Sequence, residues 1–228
     1  MDVLIHDDRQ ALARAVAGII AVRAAEGPMT LGLAGGSTPA DAYRALRDHD
    51  IDWNEMWLWL SDERWVAHDD DDSNGRMALE NLPAAAGPRL ARPRYSPYLD
   101  PQDAAAHYEA ELRSHHEDGT PDIVLLGMGT DGHTASLFPG TAALEADPHR
   151  WFVANHVPSL DVWRLTATPS LLQAARRTLL LVAGAEKAGV LAEVVNGEDG
   201  RYPIQLLRSA AGEVTVLCDA AAASRLSI

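Results

Sequence analysis

Met29-Thr30-Leu31-Gly32-Leu33-Ala34-Gly35-Gly36-Ser37-Thr38-Pro39 is the stretch that decides the fold. Its first six residues are almost continuously apolar, as strands buried on both faces are. Gly35 and Gly36 then let the backbone turn sharply and tolerate positive φ. Ser37 or Thr38 can cap a following helix, and Pro39 suits its first turn; residues 39–47 read as that helix. Strand, glycine turn and helix make one βα unit.

The same alternation extends outward in both directions. Apolar runs at 56–60, 123–127, 178–183 and 214–218 read as further buried strands. Helix-like stretches at 9–25, 104–116, 169–175 and 186–195 lie between them. Strands alternating with helices predict an α/β fold: a doubly wound, mostly parallel, Rossmann-like sheet flanked by helices. Segments 151–155 and 162–166 are additional strand candidates whose place in the sheet the pattern does not assign. Residues 83–101, with their prolines and arginines, read as loop; no linker and no repeat of fixed period interrupts the chain. One domain over residues 1–228 is expected.

Composition narrows the function. The chain has 47% hydrophobic and 23% charged residues, enough to bury a substantial core. Its net charge is −14, which repels nucleic acid and anionic membrane alike. Any anionic ligand therefore needs a local cluster of positive groups working against the overall field. The single cysteine, Cys218, cannot form an internal disulfide, and the opening MDVLIHDDRQ lacks the basic and apolar regions of a signal peptide. A cytoplasmic protein is expected. A monomer is expected too, although no motif in the chain sets the oligomeric state.

In open α/β sheets, ligands bind beyond the carboxyl ends of the strands, so three strand-end loops carry the chemistry. The first is the Gly35–Thr38 turn, which presents free N–H groups at a helix N-terminus and so favours phosphate. It is neither G-x-G-x-x-G nor a P-loop. Taken alone, a tight capped turn without ligand is the plainer account.

The second loop is Ser61-Asp62-Glu63-Arg64, followed by the acidic run Asp69 to Asp72, then Ser73 and Asn74. Charges set directly after a buried strand either line a cleft or form a solvated loop. The pattern Asp70-x-Asp72-x-Asn74-Gly75 mimics half of a calcium loop, but its twelfth position is Asn81 where that loop needs a bidentate Glu. A solvated run is the plainer account.

The third is Gly127-Met128-Gly129-Thr130-Asp131-Gly132-His133-Thr134-Ala135-Ser136-Leu137-Phe138-Pro139. Three glycines bend the chain after a strand and deliver a carboxylate beside a histidine, the natural general base near neutral pH. Lys187, the only lysine among 19 Lys and Arg residues, sits where a strand gives way to a helix. It is either a compact ammonium kept for a ligand or a chance surface residue. No H-E-x-x-H, Cys/His zinc spacing or G-x-S-x-G elbow occurs, and adjacent His115 and His116 point in different directions on one helix. Neither metal nor cofactor is expected.

These motifs, in this order, resemble the 6-phosphogluconolactonase family. Leu33 to Pro39, Ser61 to Arg64, Asp72-Ser73-Asn74 and Gly127 to Pro139 carry the likeness. Trp163-Arg164-Leu165-Thr166, Gly184 to Lys187 and the tail from Pro203 to Ala223 extend it over nearly the whole chain. The related glucosamine-6-phosphate deaminases share the Asp-Gly-His loop but carry a catalytic Glu where this chain has Phe138, and a Tyr where it has Arg64. The resemblance implies opening of a sugar-phosphate lactone, with His133 activating water. Gly35, Gly36, Ser37, Thr38, Arg64, Arg164 and Lys187 would bind substrate and its phosphate, with Asn74 in support. Asp131 and Asp62 both remain candidates for orienting His133 or binding sugar hydroxyls. Val162-Trp163 departs from the Pro-rich, acidic lead-in usual before the arginine, which loosens the placement of Arg164. A sugar-phosphate sensor that kept the pocket and lost turnover is a second possibility, although such regulators would carry an appended DNA-binding domain.

Overall fold

In a computed structural model that describes residues 1–116 and 119–227, six strands form one parallel sheet. They are β1 (Asp2–His6), β2 (Met29–Leu33), β3 (Met56–Leu60), β5 (Ile123–Gly127), β8 (Arg177–Val182) and β9 (Glu213–Asp219). Their order is β1-β9-β8-β5-β2-β3, all parallel. Three further strands, β4 (Asp62–Arg64), β6 (Phe152–Val157) and β7 (Val162–Ala167), make a small antiparallel sheet in the order β4-β7-β6.

Two apolar cores explain why the central strands carry nearly continuous apolar runs. Successive side chains of a strand point to opposite faces. Leu125 of β5 with Leu179 and Leu181 of β8 join Leu12, Val16 and Ile20 of α1 (Arg9–Ala24) and Tyr43 of α2 (Ser37–Ala45). Val124, Leu126, Leu180 and Val182 face the other way. They pack with Tyr108 and Leu112 of α4 (Pro101–His115), Leu191 and Val194 of α6 (Ala188–Asn196), and Phe152 and Leu165 of the small sheet. Helices α3 (Asn74–Asn81) and α5 (Pro169–Ala174) complete the set.

The expected strands and helices are present, with ends shifted by a few residues. Segments 151–155 and 162–166 are indeed strands, but they leave the main sheet to pair with Asp62 to Arg64. The helix expected from 186 begins as a 3-10 turn at Ala185–Lys187 and becomes α-helical at Ala188. Neither Ser37 nor Thr38 caps α2: its N-cap is Gly36, at φ 102°, with no side-chain cap.

The chain runs from β2 outward to β3 on one side and from β5 outward to β8 and β9 on the other. The loops after β2 and β5 therefore part at their carboxyl ends, and such a reversal of strand order opens a crevice.

Candidate active site

That crevice is a cavity of about 430 Å³ lined by Gly35, Gly36, Ser37, Thr38, Asp62, Arg64, Asn74, His133, Arg164 and Lys187, which are the expected site residues except Asp131. A larger cleft, about 620 Å³, lies at the opposite ends of the strands around Met29, Met56, Trp57 and Asp122. It contains none of those residues, so size does not identify the site.

The imidazole of His133 is held on three sides. Its Nδ1–H donates to Asp131 Oδ1 at 2.6 Å, because an ionised carboxylate can only accept. That leaves Nε2 as the free base. Phe138 stacks on the ring at 4.2 Å between centroids and 29° between planes. The backbone of Gly129 packs so closely that a Cβ there would stand 2.3 Å from His133 Nδ1. Of the two orienting candidates, the geometry selects Asp131. Asp62 is buried and instead accepts a 2.7 Å hydrogen bond from Ser136 Oγ.

The turn after β2 is pinned from below. Tyr43 Oη accepts from Ala34 N at 2.9 Å and donates to Ala34 O at 2.8 Å. With Gly36 as an uncapping N-cap, the first-turn N–H groups of Ser37 and Thr38 stay open to an anion. Gly35 is required by crowding: a Cβ would fall 2.0 Å from Asn74 Oδ1. Asn74 is fully buried, donates Nδ2 to Asp62 O at 2.9 Å, and leaves Oδ1 without a partner among the described residues.

Glu63, to which the sequence reading assigned no role, organises this wall. Its carboxylate accepts from the N–H groups of Arg64, Asn74 and Gly75 and from Ser73 Oγ, all within 3.0 Å. Burial pushes its carboxyl above the usual range, and those four donors only partly offset this. It thereby ties the start of α3 to β4, so Ser73, Asn74 and Gly75 are buried. The Asp69 to Asp72 run before it is exposed, as expected.

Three cations face the cavity. Arg64 and Arg164 are direct cross-strand neighbours in the β4–β7 pair, a repulsive arrangement unless an anion joins them. Arg64 donates to Asp72 O at 2.8 Å, whereas Arg164 Nε and Nη1 are buried with no hydrogen-bond partner among the described residues. Burial and then the neighbouring Arg64 lower the Arg164 pKa. Lys187 follows β8 across Gly184, at φ 101°, whose N–H is held by Asp219 at 3.1 Å. Its pKa is also lowered, first by burial, and Arg9 adds to the effect.

The cavity wall also includes Met128, Gly129, Ala135, Ser136, Phe138 and Leu160. Five of these lie in the glycine loop already singled out; Leu160, on the β6–β7 connection, gave no signal. Among the described residues, no three His, Cys, Asp or Glu side chains are grouped to hold a metal ion. No helix among them is long and apolar enough to cross a membrane.

Residues 7–216 match the family described as glucosamine-6-phosphate isomerases/6-phosphogluconolactonase. The chain is 37% identical to a 6-phosphogluconolactonase of Rhizobium meliloti, over 93% of this chain and 96% of that protein. Its fold superposes on 6-phosphogluconolactonase from Trypanosoma brucei with a TM-score of 0.85 at 29% identity, covering 99% and 98% of the two chains. It is also similar to a monomeric glucosamine-6-phosphate deaminase, with a TM-score of 0.86 at 25% identity, covering 99% and 100%. Fold alone thus spans both activities, and the sequence likeness over nearly the full length decides between them: the chain belongs to the 6-phosphogluconolactonase family within the broader glucosamine-6-phosphate isomerase/6-phosphogluconolactonase group.

Proposed function

We propose that the protein hydrolyses 6-phospho-D-glucono-1,5-lactone to 6-phospho-D-gluconate with His133 as general base. The observation that carries this reading is the imidazole fixed by Asp131 in the same cavity as three under-compensated cations. A lactone carbonyl is already electrophilic, so a positioned base and oxyanion stabilisation suffice.

His133 Nε2 takes a proton from water as its oxygen bonds to the lactone carbon, and the carbonyl electron pair moves onto oxygen. The tetrahedral intermediate then collapses, the bond from carbon to ring oxygen breaks, and the imidazolium returns the proton to that oxygen. Asp131 accepts from Nδ1 throughout, keeping the tautomer and stabilising the transient imidazolium. The dianionic phosphate is held by Lys187, Arg164 and the open N–H groups of the Gly35–Thr38 turn, with Arg64 behind Arg164. Asp62 would accept from a sugar hydroxyl, and the buried Asn74 supports it by donating Nδ2 to Asp62 O. The reading needs no metal or cofactor, treats residues 1–228 as one functional domain, and takes the enzyme to act as a cytoplasmic monomer. The lone cysteine, Cys218, is buried, which suits a reducing compartment.

Phe138 separates this from deaminase chemistry, because a phenyl ring cannot relay a proton. The test uses two substrates: freshly generated lactone, corrected for spontaneous hydrolysis, and glucosamine 6-phosphate. Accelerated lactone opening without ammonia release is expected. Ammonia release at a comparable rate would assign the chain to the deaminases' reaction.

A further inference from the structure

We infer that the backbone N–H of Ala135 is an oxyanion donor for this site. The inference rests on the lactonase reading and supplies the one group that mechanism leaves unassigned.

Ala135 has φ 47°, one of only two non-glycine residues at positive φ among the described residues. An L-residue with a Cβ is sterically strained there, and such strain persists only where the surroundings over-determine it. They do so here. On one side, Thr134 Oγ1 donates to Gly127 O at 2.9 Å, and Leu137 N donates to Thr134 O at 2.9 Å. On the other, Ser136 N donates to Thr166 Oγ1 at 3.2 Å, Ser136 Oγ to Asp62 at 2.7 Å, and Asn155 Nδ2 to Ser136 O at 2.8 Å. The residues flanking Ala135 are thus anchored to β5, β4, β6 and β7. No acceptor among the described residues takes the Ala135 N–H. The residue lines the cavity, two positions along the chain from the base.

A turn this heavily bonded, with the Ala135 N–H free of any acceptor among the described residues, suits a preorganised electrostatic donor. It is fixed before substrate arrives, so no reorganisation is needed as charge develops. Neighbouring N–H groups of the same loop are engaged elsewhere: Gly129 N bonds His133 O, Gly132 N bonds Gly129 O, and His133 N bonds Asp131. The first-turn N–H groups of α2 face the phosphate.

The direct test replaces Ala135 by lactic acid, turning this one amide into an ester and exchanging N–H for O while keeping the side chain. Because the N–H has no protein partner, the fold should be retained. The expected result is a fall in kcat of about 10²–10³-fold. kcat/KM should fall in parallel, as for an interaction made only in the transition state. Affinity for inorganic phosphate, which shares the anchoring group but has no C1 oxygen, should be unchanged. A folded ester variant that turns over at the parent rate overturns the assignment. So does one whose loss lies in phosphate affinity alone. Should the ester variant not fold, amide NMR of the unaltered protein decides the question. The Ala135 proton should move downfield on binding a 6-phosphorylated cyclic phosphonate, whose tetrahedral oxygen mimics the intermediate, and not on binding inorganic phosphate. An unmoved resonance at saturation overturns the proposal. If the unaltered protein fails to accelerate lactone opening, the lactonase reading falls with it; an active parent with an equally active ester variant removes only the Ala135 assignment.

Discussion

The two walls of the cavity bring cations to it by different means. On the parallel-sheet side, Lys187 and the Gly35–Thr38 turn stand at strand ends, delivered by glycines at positive φ. Each is a local strand-turn-helix unit. On the antiparallel side, Arg64 and Arg164 come from strands a hundred residues apart and meet only because β4 pairs with β7. The first wall uses backbone N–H groups plus one compact ammonium. The second uses two planar guanidiniums set against each other. Local geometry can be read along the chain, whereas a cross-strand meeting depends on tertiary pairing.

Among changes that set one wall against the other, the largest expected effect comes from stripping one cation from each. A hydrogen bond to a charged group is worth about 1.5–3 kcal/mol, or roughly ten- to a hundredfold in binding or rate. Lys187→Met and Arg164→Met should each lower kcat/KM for the phosphorylated lactone by that factor. If both grip one phosphate, the double variant will be non-additive. Glucono-1,5-lactone, which lacks the phosphate, should be a poor substrate and should barely respond. Equal losses on both lactones would move that residue from the phosphate to the reacting centre or to structure. A strictly additive double variant would place the two walls on different parts of the substrate.

Gly35→Ala is next in size and probes the seam between the walls. Its Cβ would meet Asn74 Oδ1, and overpacking of this kind costs roughly 1–3 kcal/mol. Because Asn74 is tied to Asp62 and Glu63, the strain should reach the arginine wall. The double substitution Gly35→Ala with Asn74→Gly should recover folding stability without recovering activity. Full recovery of both would reduce Asn74 to a filler.

The smallest effect is in pH. Burial depresses the Lys187 pKa, so its ammonium loses its proton at a lower pH than an ordinary lysine would. Affinity for 6-phosphogluconate should be full below that depressed pKa and weaken as pH rises through it. Titration calorimetry with this product avoids the spontaneous hydrolysis of the lactone. In Lys187→Met the alkaline loss should shrink. An unchanged profile would assign the loss to another group.

The same contrast explains what could be read from the chain. Strands β2, β3, β5, β8 and β9 are visible because burial on both faces gives each a nearly continuous apolar run. The glycine loop is visible because its residue types are unusual together. Strand β1 escaped notice: it lies at the sheet edge with Leu4 and Ile5 exposed, so burial does not shape its pattern. Strand β4 is three charged or polar residues whose burial comes from Glu63 bonding the start of α3. Helix α3 follows an acidic run and looks like its continuation. The strain at Ala135 leaves no mark in residue type, since an alanine there resembles any other.

The central claim is that the imidazole held by Asp131, Phe138 and Gly129 is the base. The most direct measurement is the kcat of His133→Ala on freshly generated 6-phosphogluconolactone, with folding and product affinity checked in parallel. Loss of a general base predicts a fall of about 10²–10⁴-fold, with 6-phosphogluconate still bound at parental affinity. A folded His133→Ala protein that opens the lactone at the parent rate would contradict the account and pass the role of base to Asp62 or Asp131.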